Sequence, residues 1–143
     1  MEKVVAGTAQ QQAWKLMLDL FLQQRGRMLS TAQEFGLHPQ QAFAMMALKP
    51  EEPMSMSELA QVLRCDNSNV TGIADRLEAA GLAERRPHPS DRRVKTLALT
   101  EHGTVVRRAY KDKLAHTPEA ISGLSDEDAA ALVDILGRAA ASR

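Results

Sequence analysis

The sequence predicts a mostly α fold that carries one small β-hairpin, and three observations predict it. Apolar residues recur at i, i+3, i+4, i+7 spacing through most of the 143 residues. Turn and cap signals such as Gly36, Pro39, the Ser55/Glu58 pair, Asp66, Gly81 and Thr100 cut those stripes into separate helices. Only the stretch from Leu82 to Leu99 reads as strands, split by a loop with two prolines.

The first helix runs from Ala9 to Glu34. Trp14, Met17, Leu18, Phe21, Arg25, Met28, Leu29 and Ala32 share one face, and Leu16, Leu20 and Leu22 add apolar surface beside it. That is more than one amphipathic helix needs, so its own chain should cover one side and a partner another. Gly36 ends this helix and Pro39 begins the next, which carries Phe43, Met46 and Leu48 and stops before the Lys49–Pro53 linker. Ser55 and Glu58 have capping-box spacing ahead of Met56, Leu59, Ala60 and Leu63.

After a turn at Cys65–Asn67, a further helix runs from Ser68 to Ala80 and closes at Gly81. Its apolar side is Val70, Ile73, Ala74 and Leu77. Ser68, Gly72, Asp75 and Ala79 lie opposite, flanked by Asn69, Thr71 and Arg76. This outward face is short, polar and lightly charged, unlike a solvated face rich in Lys and Glu. Gly72 costs about 1 kcal/mol against Ala in a helix interior, which fits a helix that must approach something closely. Strands follow at Leu82–Arg86 and Val94–Leu99, then a Thr100-capped helix to about His116, an interruption at Thr117–Pro118, and a last helix with an acidic first turn at Asp126–Asp128.

Net charge is zero, with 18 basic and 18 acidic residues, so overall charge does not single out a polyanion. Its distribution does. Arg85, Arg86, Arg92, Arg93 and Lys95 face only Glu84 and Asp91 between Leu82 and Leu97, whereas Thr117 to Leu136 holds five acids and no Lys or Arg. A lone Cys65 excludes an intramolecular disulfide. No apolar run approaches the roughly 18 residues of a membrane span, and the N-terminus lacks a signal-peptide core, so a soluble, cytoplasmic protein is expected. His102 and His116 would stand about 21 Å apart on one helix, too far for one metal ion. No phosphate loop or nucleophile elbow is present, and His88 with Asp91 on an exposed loop makes a poor acid–base pair. No enzyme, metal or cofactor is therefore expected.

Two short helices joined by a tight turn and followed by a basic hairpin make a winged helix-turn-helix. The second helix suits the major groove, where Asn67 and Asn69 can pair with adenine and the Thr71 methyl can meet a thymine methyl. The candidate DNA contacts are Asn67, Ser68, Asn69, Thr71 and Arg76 on that helix, and Arg92, Arg93 and Lys95 on the hairpin. Two acids pose a question, since a carboxylate facing phosphates is repulsive. Asp91 can pair with Arg76 to brace the wing. Asp75 can accept from a cytosine or be held back by an arginine.

The stretch from Asp66 to Leu82 resembles the reading helix of the MarR family of bacterial regulators, and Asp91 to Gly103 is similar to that family's wing, an Asp-x-Arg followed by a strand and Leu-Thr-x-x-Gly. The resemblance implies a homodimer on a palindromic DNA operator. In that layout residues 1–36 form an N-terminal dimerisation helix, 37–100 the winged helix-turn-helix, and 101–143 C-terminal dimerisation helices. It also implies that Arg93 enters the minor groove, and that a small aromatic or hydrophobic effector releases a repressor. Trp14, Phe21, Phe43 and Met46 are the candidate walls of the effector site and His38 or Arg25 its anchor, while such aromatic and methionine side chains are more often core. Cys65 reads as a small buried thiol. A redox-responsive regulator acting through it is the alternative.

Overall fold

Short-range hydrogen bonds start most of the helices. In the computed structural model, which describes residues 7–142, Thr8 caps α1 (Ala9–Glu34) and Pro39 opens α2 (Pro39–Ala47). Met54–Ser55 forms a short strand β1, and Ser55 then caps α3 (Met56–Leu63). The Ser55 hydroxyl accepts from the Glu58 N–H at 3.1 Å, and the Glu58 carboxylate accepts from the Ser55 N–H at 2.8 Å. These bonds hold the Glu58 carboxyl below its ordinary range. Arg64 ends α3 in the left-handed region at φ 51°, and Asp66 caps α4 (Asn67–Ala79). Strands β2 (Ala83–Pro87) and β3 (Lys95–Leu99) lead into α5 (Glu101–Leu114), α6 (Glu119–Ser122) and α7 (Asp126–Ala141).

The sheet is antiparallel in the order β1-β3-β2. Arg85 faces Leu97 across the hairpin, and Met54 faces Leu97 on the other side. Neither β1 nor α6 is predicted by the sequence. Two and four residues are too short to show a period, and β1 exists only because β3 offers it a free edge. The other boundaries agree to within about two residues.

Met45, Leu48, Leu59, Val70, Ile73, Leu77 and Leu97 are fully buried and form the core beneath α2, α3, α4 and β3. Expected and observed burial part company at Phe43, which lies on the outer side of α2 and is 55% exposed, while Ala44 and Met45 turn inward. In α1 only Thr31 and Ala32 are buried. Arg27 donates to the carbonyls of Lys113 and His116 at 3.1 and 3.0 Å, Glu34 pairs with Lys113, and Phe35 meets Tyr110 edge-on at 5.6 Å. These contacts stitch the C-terminal half of α1 to α5. The first six residues of the expected N-terminal segment, and Arg143, lie outside the described residues.

Gly103 explains part of the Leu-Thr-x-x-Gly run. A Cβ there would stand 1.8 Å from the Leu82 carbonyl oxygen, a backbone atom that cannot step aside. Gly103→Ala should therefore cost about 1–3 kcal/mol or more by overpacking, read as a lower urea midpoint at unchanged m-value. A variant as stable as the parent would show that α5 does not seat tightly on Leu82.

Candidate nucleic-acid interface

The exposed face of α4 is built from its cap outward. One Asp66 carboxylate oxygen accepts from the Asn69 N–H and from the Ser68 hydroxyl, both at 2.8 Å. The two bonds pull the Asp66 carboxyl below its ordinary range, the Asn69 bond most. Thr71 donates its hydroxyl proton to the Asn67 carbonyl at 2.9 Å. Its methyl and an acceptor lone pair stay uncommitted. The side chains of Asn67, Asn69 and Arg76 are exposed and make no hydrogen bond or ion pair among the described residues. Asn67, Ser68, Asn69, Thr71 and Arg76 thus lie exposed together on one helix.

The hairpin supplies the second part. Arg92, Arg93 and Lys95 are all exposed, and none is in an ion pair among the described residues. Its tip is held by local bonds. Asp91 accepts from the Arg93 N–H at 3.0 Å, His88 N–H donates to the Val94 carbonyl at 2.8 Å, and His88 Nδ1 accepts from the Ser90 N–H at 3.2 Å. Asp91 therefore braces the wing through the backbone and makes no ion pair with Arg76, the other bracing open to it.

Arg85 decides the electrostatics of α4. Its guanidinium donates to Asp75 at 2.7 Å and pairs with Glu78, and its backbone N–H donates to the Glu78 carboxylate at 2.8 Å. The hydrogen bond to Asp75 raises the Arg85 pKa above its ordinary value, against the opposing effect of burial. Asp75 is thus held by an arginine, as one of its two readings required. From the sequence, Arg85 reads only as one member of the basic cluster. Strand parity was the available signal: buried Ala83 and Arg85 share a face two residues apart, so Arg85 turns toward α4 while Arg86 turns away and pairs with Glu84.

The residues expected to hold an effector occupy different surfaces of the single chain. Trp14 and Phe21 line a wholly apolar depression on α1 with Met17 and Leu18. His38 lies in a shallow groove at Gly36–Pro39. Phe43 lines a cleft of about 330 Å³ between α2, α3 and α4, whose walls include Cys65 and Asn69. Arg25 is exposed, Met46 is half-buried, and neither lines these three hollows. Cys65 is half-buried rather than buried, because the α3–α4 turn sits at the rim of that cleft.

The family model that matches residues 37–95 is the MarR family. The repressor MdtR of Bacillus subtilis is 36% identical over 86 residues, which are 60% of this chain and 56% of the relative. The regulator PecS of Dickeya dadantii is 33% identical over 59% of this chain and 52% of its own. The matched segment thus spans about half the length of these curated relatives. Among solved structures, the YusO protein of Bacillus subtilis shares 28% identity at a TM-score of 0.72, covering 96% of this chain and 100% of that one. A transcriptional regulator of Thermotoga maritima shares 27% at 0.76, covering 92% and 93%. The family match runs from the residues just before α2 to the first residue of β3. The likeness in structure extends over the flanking helices as well, so the chain shares the whole architecture of these two proteins.

The role of Arg85 can be isolated. Arg85→Met leaves Asp75 uncompensated beside the reading face and should weaken duplex binding about tenfold, near 1.4 kcal/mol. Adding Asp75→Asn removes the repulsive charge and should recover part of that loss in the same fluorescence-anisotropy titration. No recovery would mean that Arg85 acts by holding β2 to α4, not by cancelling charge.

Proposed function

We propose that this chain is a sequence-specific double-stranded-DNA-binding transcriptional regulator, a repressor that works as a homodimer on a palindromic operator. One observation carries the reading. Asn67, Asn69 and Arg76 stand exposed and uncommitted on the outward face of a capped helix, and a hairpin with uncommitted Arg92, Arg93 and Lys95 follows it. Asparagines of this kind read adenine edges in the major groove, and wing cations meet phosphates or a narrow minor groove. The related MdtR is a repressor by name, which supports repression as the outcome. Acting on a bacterial operator implies a cytoplasmic protein, and no described helix is long and apolar enough to cross a membrane.

Two helices support the dimer. α7 has no buried residue and exposes Val133 at 72% and Ile135 at 53%, while α1 exposes Trp14 at 63% and Phe21 at 58%. Apolar surface of this extent on the two terminal helices of a small domain calls for a cover. Operator release by a small hydrophobic or aromatic effector completes the reading. Phe43, one of the residues expected to hold it, shares its cleft with Asn69 on the reading helix. A ligand that prefers the DNA-free arrangement lowers operator affinity by its preference ratio between the two states.

Selection of bound fragments from the organism's own genomic DNA tests the reading. It should enrich inverted repeats with half-sites about 10 bp apart. Sedimentation at micromolar concentration should give twice the chain mass, and a monomer that binds its operator tightly would refute the dimer. Recovery of no sequence above background would refute the regulator.

Reading helix and wing should also separate by phenotype. Asn69→Ala or Thr71→Ala should cost about 1–3 kcal/mol at particular base pairs and relax preference there. Arg93→Ala should weaken all duplexes and lower the salt slope by about one for each phosphate that is no longer neutralised. Uniform weakening by Asn69→Ala, with preference intact, would place the reading face elsewhere.

A further inference from the structure

Four glycines stand inside helices among the described residues: Gly26, Gly72, Gly103 and Gly137. Gly103 is explained by the chain's own packing, because Leu82 occupies the space a side chain would need. Gly72 is not. A Cβ built on it meets nothing within 4 Å, and its φ is not positive, so neither packing nor backbone conformation in the free chain asks for glycine. The same holds for Gly26 and Gly137, which lie on α1 and α7, the two helices with large uncovered apolar surface. Gly72 alone of the three lies on the reading helix.

Its position on α4 is specific. Val70, Ile73, Ala74 and Leu77 are buried, and Gly72 projects from the opposite side, between Ser68 and Ala79 and next to Asp75. Asn69 and Arg76 flank it on one side, Thr71 on the other. Asparagine and threonine are short. They reach base edges only if the helix backbone itself comes deep into the groove. A side chain at the centre of the face would strike the groove floor first.

We propose that Gly72 is a positioning residue for DNA reading: its missing side chain sets how deeply α4 enters the major groove. The inference rests on the DNA-binding reading above and names a residue of that same surface. Helix propensity works against Gly72 in the free protein, so replacement should not harm the fold. The hairpin cations contact phosphates irrespective of sequence and should keep most non-specific affinity when the helix is held out.

Gly72→Ala and Gly72→Leu are compared with the parent in the full chain, using a genomic fragment the parent selects and a random duplex of equal length. Both variants should unfold at or above the parent's temperature and remain dimeric. Operator affinity should fall at least about fivefold for Ala and further for Leu, with a smaller loss on the random duplex. A loss below about fivefold for both variants, or an equal loss on both duplexes, would overturn the proposal. So would a lowered unfolding temperature for Gly72→Ala, which would mean that glycine serves the free fold. A parent that selects no genomic fragment overturns the DNA-binding reading and this inference with it. A parent that binds its operator beside indifferent variants overturns the inference alone.

Discussion

Three elements meet at the Leu82 carbonyl. It accepts from the Thr100 N–H at 3.1 Å, and α5 presses its first turn against it through Gly103. The Thr100 hydroxyl donates to the Gly81 carbonyl at 2.6 Å and accepts from the Gly103 N–H at 2.9 Å. Gly81 adopts φ 69°, so the chain can leave α4 and enter β2 within a few residues. This junction joins α4, the β2–β3 hairpin and α5 at one point. Because α5 also packs along α1, the orientation of α4 and the hairpin is passed to the helices proposed to form the dimer. The spacing of two reading heads would depend on it.

Charge is arranged with the same economy. The chain is neutral overall, but its cations and anions are separated along it. On α4 the acids Asp75 and Glu78 are both answered by Arg85, so the helix presents asparagines and Arg76 without a net negative charge. The wing keeps Arg92, Arg93 and Lys95 unpaired among the described residues and ties Asp91 to its own backbone. Three of the four acids of α7, Asp126, Glu127 and Asp128, stand in its first turn, where the helix dipole favours them, and the fourth, Asp134, pairs with Arg138.

Much of the α3–α4 region was legible before folding. The Ser55/Glu58 box, the Asp66 cap and the Val70–Ile73–Leu77 stripe are local patterns, and local patterns survive tertiary context. The expected DNA-facing residues of α4 all lie exposed for the same reason: helical period alone places them away from the buried stripe. Legibility failed where an interaction crosses between elements. Arg85 was one basic residue among several until β2 lay beside α4. Arg27 and Arg107 have the sequence context of solvated charges, yet Arg27 binds two carbonyls at the end of α5 and Arg107 donates to the Met46 carbonyl at 3.2 Å. Nothing in a linear pattern states which distant carbonyl is left without a donor.

By itself the sequence determined the order and type of the principal elements, the face of α4 that meets solvent, and the surplus apolar surface of α1. Each follows from periodicity, capping and side-chain size within about ten residues. Only the tertiary structure decided that Asp75 belongs to Arg85, that β1 exists, and that Phe43 turns outward beside Cys65 and Asn69. It also decided that Gly103 is bound by packing while Gly72 is not. The physical reason is the same in each case. Burial, pairing and free space are properties of how elements approach one another, and residues roughly 10 to 80 positions apart enter that geometry only when the chain closes on itself.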